Sequence, residues 1–260
     1  MGLKRPGYNN CKKYCPVNDP FKKRVTFVHT GHIGDIIAFL PIYRALHGTY
    51  LVVRDDPGML PMSGYKFDSL QPLLVSQGIE TGFSSPYPVD FDLGGWRECY
   101  RDNISLIDSQ ARYLNLIDRR DGHMNIQNPW IKVDPDPLTK GRVIFNRSPR
   151  YRNYDFPWKQ VHSHFGNRAL FVGTPDEHKL YCAEVGDIEH YPTENCLEVA
   201  RAISGSDFFV GNQSSACWIA MGLRKKLLQE TFGPAPNSII PYDGAWYGFA
   251  KNIPFDKLEK

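Results

Sequence analysis

The stretch that most constrains this chain is residues 25–46, VTFVHTGHIGDIIAFLPIYRAL. Val25, Phe27 and Val28 make a short apolar run of β-forming residues. Thr30, Gly31, His32, Ile33 and Gly34 then read as a tight turn. Ile36, Ile37, Phe39, Leu40, Ile42, Tyr43 and Leu46 read as a helix interrupted by a kink at Pro41. The two glycines permit close approach of a ligand to the backbone, and a helix start offers free N–H groups. Asp35 falls in or beside the first helical turn, where the helix dipole favours its ionised form. A carboxylate there can cap the helix, or it can accept a proton from an attacking hydroxyl. The spacing leaves both roles open.

The strand–helix alternation continues. It predicts a strand at 50–54, a helix at 68–77 ended by Gly78, a strand at 89–93 before Gly94 and Gly95, and a helix at 103–117. Residues 121–140 are polar, carry Pro129, Pro135 and Pro137, and read as a linker. The pattern then restarts with strands at 142–146, 169–172, 188–191, 207–210 and 226–231, and helices at 157–165, 177–185, 194–204 and 216–223. The expected fold class is α/β, with two Rossmann-like domains facing a central cleft. The expected boundaries are an arm over 1–24, domains over 25–137 and 138–245, and a tail over 246–260 that packs back on the first domain. In such sheets ligands bind beyond the carboxyl ends of the strands.

Composition narrows the function. A net charge of +3 over 260 residues does not mark a nucleic-acid binder. No apolar run reaches the roughly 18 residues of a membrane span, and the N-terminus lacks a signal-peptide core. A cytoplasmic protein, or one peripheral to the inner membrane, is expected. The six cysteines are scattered and read as free thiols. Cys11 and Cys15 have no second pair of matching spacing, so no metal site is expected. Gly31 and Gly34 match only part of a dinucleotide fingerprint, although Asp55 and Asp56 stand where such folds carry a ribose acid.

Three further segments could carry chemistry. Asn212, Gln213, Ser214 and Ser215 lead from a strand into an apolar helix, which suits either a diphosphate cradle or a capped helix. Arg147, Ser148, Arg150 and Arg152 follow the strand RVIFN. Arginine forks grip phosphate oxygens, but the same run could be a solvated loop. Its interleaved Tyr151, Tyr154 and Trp158 also fit nucleic-acid contact. Glu177 could accept ribose hydroxyls or act as a first-turn acid.

Taken together, these segments resemble the ADP-heptose:lipopolysaccharide heptosyltransferases, glycosyltransferase family nine, of GT-B fold. The likeness is carried by TGHIGDIIAFLPIYRAL at 30–46, by ALFVGTPDEH at 169–178, and by LEVARAISGSDFFVGNQSSACWIAMGL at 197–223 followed by TFGPAP at 231–236. The resemblance implies an inverting, metal-independent transfer of sugar from a nucleotide-diphosphate sugar, with no further cofactor. It makes the first domain the acceptor domain and the second the nucleotide-sugar domain. Asp35 would be the general base, with Gly31, His32 and Gly34 on the acceptor side. The 147–152 loop and the 212–215 turn would hold the donor diphosphate, and Glu177 would lie near the nucleoside. Gln213, Ser214 and Cys217 stand where the family has Thr or Ser, Gly and His, so the donor identity stays open. The acceptor could be a glycan, another hydroxyl-bearing molecule or a modified nucleic acid. The alternative is a non-catalytic binder of a nucleotide, glycan or nucleic acid on the same fold.

Overall fold

The computed structural model describes residues 24–54, 64–85, 88–249, 253 and 255–258. The 1–23 part of the expected arm, Cys11, Cys15, Asp55 and Asp56 lie outside the described residues. Two parallel sheets form. The first joins β1 (Thr26–His29), β2 (Tyr50–Val53), β3 (Glu80–Gly82) and β4 (Phe91–Asp92) in the order β3-β2-β1-β4. Helices α1 (Ile33–Ala45), α2 (Gly64–Ser76) and α3 (Leu106–Tyr113) belong to this lobe.

The second sheet contains β5 (Val143–Asn146), β6 (Ala169–Phe171), β7 (Glu189–His190), β8 (Phe208–Asn212), β9 (Leu227–Glu230) and β10 (Ala245–Gly248), in the order β10-β9-β8-β5-β6-β7. Its helices are α4 (Trp158–Phe165), α5 (Pro175–Glu184), α6 (Cys196–Gly205), α7 (Ser215–Gly222) and α8 (Phe255–Leu258). Strands β1, β2, β5, β8 and β9 are buried along their whole length, as parallel strands covered on both faces must be. Among the described residues, no helix is long and apolar enough to cross a membrane. Of the described cysteines, Cys196 and Cys217 are buried thiols, and Cys99 and Cys182 are half-buried thiols.

The strand order sets where a ligand can bind. In each sheet the chain reverses its direction of travel beside one strand, β1 in the first and β5 in the second, and crevices open at such points. The turn after β8 lies against the same crevice because Asn146 pairs in register with Gly211.

The lobes meet through helices. Buried residues of α1 and α2, including Ile36, Leu40, Leu70 and Leu73, share one apolar cluster with Ala200, Ile203, Trp218 and Ile219 of α6 and α7. A Cβ at Gly34 would sit 3.3 Å from Trp218 Cδ1, tighter than an ordinary contact, and 3.8 Å from the Ser215 Cα, so glycine suits the close approach of α1 to α7.

Pro41 lies inside α1, which continues to Ala45. Proline lacks the N–H that would bond the carbonyl four residues earlier. That carbonyl, Ile37 O, instead accepts from the Trp130 indole N–H at 3.2 Å. Trp130 sits in the linker, and its backbone N–H and that of Ile131 both donate to Gly222 O at the end of α7. The linker therefore staples α1 to α7.

The tail differs from expectation. β10 pairs with β9 as the edge strand of the second sheet, and Leu258 joins the core of the second lobe. The described part of the tail thus packs on the second lobe, because Trp246, Ile253 and Phe255 find their apolar partners there.

Trp130→Phe should cost about 1–3 kcal/mol, because the Ile37 carbonyl would then be buried without a donor. Pro41→Ala restores an N–H to that carbonyl. The cost of Trp130→Phe measured by urea unfolding should therefore be smaller in the Pro41→Ala background. Equal costs in the two backgrounds would contradict this account.

Candidate functional site

A cavity of about 840 Å³ lies between the carboxyl ends of the two sheets. His32, Gly34, Asp35, Lys66, Arg97 and Tyr100 line its first-lobe wall. Ser148, Arg150, Glu177, Gln213, Ser214 and Ser215 line the opposite one.

Asp35 is the third residue of α1 and does both things its position allows. Its Oδ2 accepts from the His32 backbone N–H at 2.9 Å, capping the helix start, and from Arg97 Nη2 at 2.8 Å. Oδ1 accepts no hydrogen bond among the described residues. The side chain is 14% exposed. Burial raises its pKa above the ordinary carboxylate value, while Arg97, the His32 N–H and the charge of Arg150 pull it back. A partly exposed carboxylate with elevated proton affinity and a free oxygen is equipped to take up a proton.

Behind Asp35 the turn is held by buried polar groups. His29 Nδ1 accepts from Gly31 N at 2.9 Å. A Cβ at Gly31 would lie 2.5 Å from both the His29 ring and the Asp35 Cβ, so this position requires glycine. Burial, aided by Arg97, lowers the His29 pKa to about 3, against the opposing influence of Gln110. His29 is therefore a neutral structural residue. Gln110 of α3 donates to the Asp35 backbone carbonyl at 2.9 Å.

The second-lobe wall is built from helix starts. The N-termini of α5, α6 and α7 all open on the cavity through Thr174, Asn195 and Ser214. Ser214 Oγ accepts from Cys217 N at 3.3 Å and donates to Asn146 Oδ1 at 2.7 Å. Ser215 and Ala216 line the cavity, and as the first residues of α7 their backbone N–H groups have no intrahelical acceptor. A helix start such as that of α7 favours an anion. Glu177 completes the α5 capping box with Thr174, at 2.9 Å and 3.2 Å, and its side chain also reaches the cavity.

The structure separates the four residues of the 147–152 loop. Arg150 reaches the cavity, its guanidinium 5.1 Å over the ring of Tyr151. Tyr151 adopts a left-handed backbone, φ 51°, at the tip of the loop. Ser148 also lines the cavity. Arg147 and Arg152 do not. Arg147 forks onto the fully buried Glu230 at 3.1 Å through two nitrogens and meets Glu184 at 2.7 Å. Arg152 pairs with Glu184 at 2.6 Å. The buried Glu230 and the exposed Glu184 hold both guanidinia away from a ligand.

Asn212 is likewise committed elsewhere. Its amide brackets Ser148 and Arg150 and so shapes the loop. Gln213 lines the cavity, but its side chain bonds Phe232 N, Ala235 O and Asn237. Asn237 in turn reaches Tyr100 of the first lobe at 2.7 Å.

Arg97, Tyr100, Lys66 and Asn237 are cavity residues that sequence reasoning did not select. A signal for Arg97 existed. It follows the Gly94–Gly95 pair at a strand end, the same kind of position that drew attention to Arg147.

No protein-family model and no curated protein matches the chain. Solved structures do. The dodecameric iron-containing heptosyltransferase TibC, in complex with ADP-D-beta-D-heptose, matches with a TM-score of 0.54 and 15% identity over 86% of this chain and 62% of TibC. TibC comes from enterotoxigenic E. coli. A glycosyl transferase family 9 protein from Veillonella parvula matches with a TM-score of 0.51 and 11% identity over 87% of this chain and 85% of that one. E. coli heptosyltransferase WaaC with ADP gives a TM-score of 0.50 and 12% identity over 89% and 94%. At these identities the likeness is one of fold. The expected GT-B-type α/β architecture is found, and the expected resemblance to heptosyltransferases holds at that level. The chain spans about 62% of the length of TibC. Among the described residues, no group of three or more His, Cys, Asp or Glu side chains is placed to hold a metal, so they offer no ligand set for the iron named for TibC.

Two outcomes follow from the buried charges. Arg147→Met should destabilise the fold by about 3–5 kcal/mol, because it leaves the buried Glu230 carboxyl without its guanidinium partner, and adding Glu230→Leu should recover most of that loss. Calorimetry of the single and double variants checks this. A neutral His29 gives stability that is complete above its ordinary pKa of 6.5 and declines as the pH falls toward about 3. His29→Asn keeps an acceptor for Gly31 and should flatten the urea midpoint against pH in that window; an unchanged slope would contradict the assignment.

Proposed function

We propose that the protein is a glycosyltransferase that moves a sugar, with inversion, from a nucleotide-diphosphate sugar to a hydroxyl of an acceptor, with Asp35 as general base. The observation that carries this reading is the position of Asp35. It lies on one wall of a cavity whose other wall presents Arg150 and the starts of three helices.

The acceptor hydroxyl attacks the anomeric carbon from the Asp35 side and forms the new C–O bond. Its proton passes to Asp35 Oδ1. The bond from the anomeric carbon to the diphosphate oxygen breaks, and the nucleoside diphosphate leaves with the electron pair. A single displacement from the opposite face inverts the centre. Charge on the leaving diphosphate is met by the Ser215 and Ala216 N–H groups and by Arg150, a stabilisation that does not require a metal. Glu177 lies at the α5 side of the same wall, near the place a nucleoside would occupy. The donor is a nucleotide-diphosphate sugar of the ADP-heptose kind, and the acceptor a glycan or another hydroxyl-bearing molecule.

Asp35→Asn should reduce transfer by about 10²–10⁴-fold. It should not lower the thermal midpoint, since burying the ionised carboxylate opposes folding. Wild-type turnover in that variant would refute the base assignment. Arg150→Ala should weaken ADP binding about tenfold or more, read by calorimetry. Stabilisation by nucleotide sugars without any release of nucleoside diphosphate, under every acceptor tried, would favour the binding protein instead.

A further inference from the structure

Arg97 has no part in the donor chemistry above, yet it touches the proposed base. We propose that Arg97 is a positioning residue for that reaction, fixing Asp35 through Oδ2 and supplying the counter-charge that a buried base requires. This rests on the reading of Asp35 as the base.

The geometry is specific. Arg97 Nη2 and the His32 backbone N–H both donate to Oδ2, at 2.8 and 2.9 Å, and come from different elements. Together they set the plane of the carboxylate and leave Oδ1 for a substrate proton. The guanidinium lies 4.5 Å over the ring of Trp96, which is itself 1% exposed and wedged in the first-lobe core. A planar guanidinium stacked on a fixed ring is pre-organised in a way a lysine would not be.

The charges around Asp35 single out Arg97. On the turn before α1, a protonated His32 would also favour the Asp35 carboxylate, but burial lowers the His32 pKa below its ordinary value, so this imidazole is neutral at neutral pH. Gln110 of α3 bonds only the Asp35 backbone, and Ser215 and Trp218 of α7 are uncharged. Lys66 of α2 acts on His32 and is not among the charges acting on Asp35. Arg150, on the loop after β5, does act on Asp35, but a bound diphosphate would engage it. With donor in place, Arg97 is the cation left to oppose protonation of the base.

The test is the pH profile of kcat/KM in R97M and R97K, alongside D35N and a 13C-carboxyl NMR titration of Asp35 in the full ligand-free chain. In R97M the acidic limb should move upward by about 1–3 pH units, so that lost activity returns at alkaline pH. ADP affinity should be unchanged. R97K keeps the charge without the stack; its limb should stay with the wild type while kcat falls. Loss by one constant factor at every pH, or a limb that does not move in R97M, would overturn the proposal. R97Q serves if R97M does not fold. Full transfer by D35N would refute the base reading itself. The counter-charge would then be judged by the titration alone, supported if the Asp35 pKa rises in R97M and overturned if it does not.

Discussion

The crossing of α1 over α7 at Gly34 and Ser215 is the contact on which the rest of the molecule depends. It buries Trp218 between the lobes, closes one end of the cavity and sets two helix starts side by side. One start carries Asp35 and the other carries free N–H groups. A Cβ at position 34 would crowd the Trp218 ring at 3.3 Å, so the bare backbone there eases the close approach of the two helices. The linker reinforces the crossing by satisfying the carbonyl that Pro41 leaves open and by gripping the end of α7.

Charge is handled differently on the two sides of the second sheet. Away from the cavity, Arg147, Glu230, Glu184 and Arg152 neutralise one another and hold the loop base rigid. At the cavity, Arg150, Lys66 and the start of α7 lack such committed acidic partners among the hydrogen bonds and ion pairs described, and their positive potential stays available to a ligand. Asp35 stands within that field, with Arg97 as its direct partner. The same loop thus serves as scaffold in its buried arginines and as ligand surface in its exposed one.

Much of this was legible in the sequence. Apolar runs and helical spacing located nearly every element of both lobes, because parallel strands buried on two faces leave a continuous hydrophobic signal. Asp35, Ser214 and Ser215 were readable because glycine turns before helices have a fixed geometric meaning. What was not readable depended on distant pairing. Arg147 and Arg150 look alike in sequence, and only the carboxylates of Glu230 and Glu184 tell them apart. Arg97 is 62 residues from Asp35, and nothing local ties the two. The path of the tail was misjudged because β10 is short and aromatic, and its partner β9 can be recognised only in the assembled sheet.

The most direct test is a crystal structure with a nucleoside diphosphate bound. The account predicts the terminal phosphate on the backbone N–H groups of Ser215 and Ala216 and on Arg150, with the Asp35 carboxylate facing it across a gap that one sugar ring would fill. A diphosphate held away from the start of α7, or an Asp35 carboxylate turned out of the cavity with nucleotide bound, would contradict it.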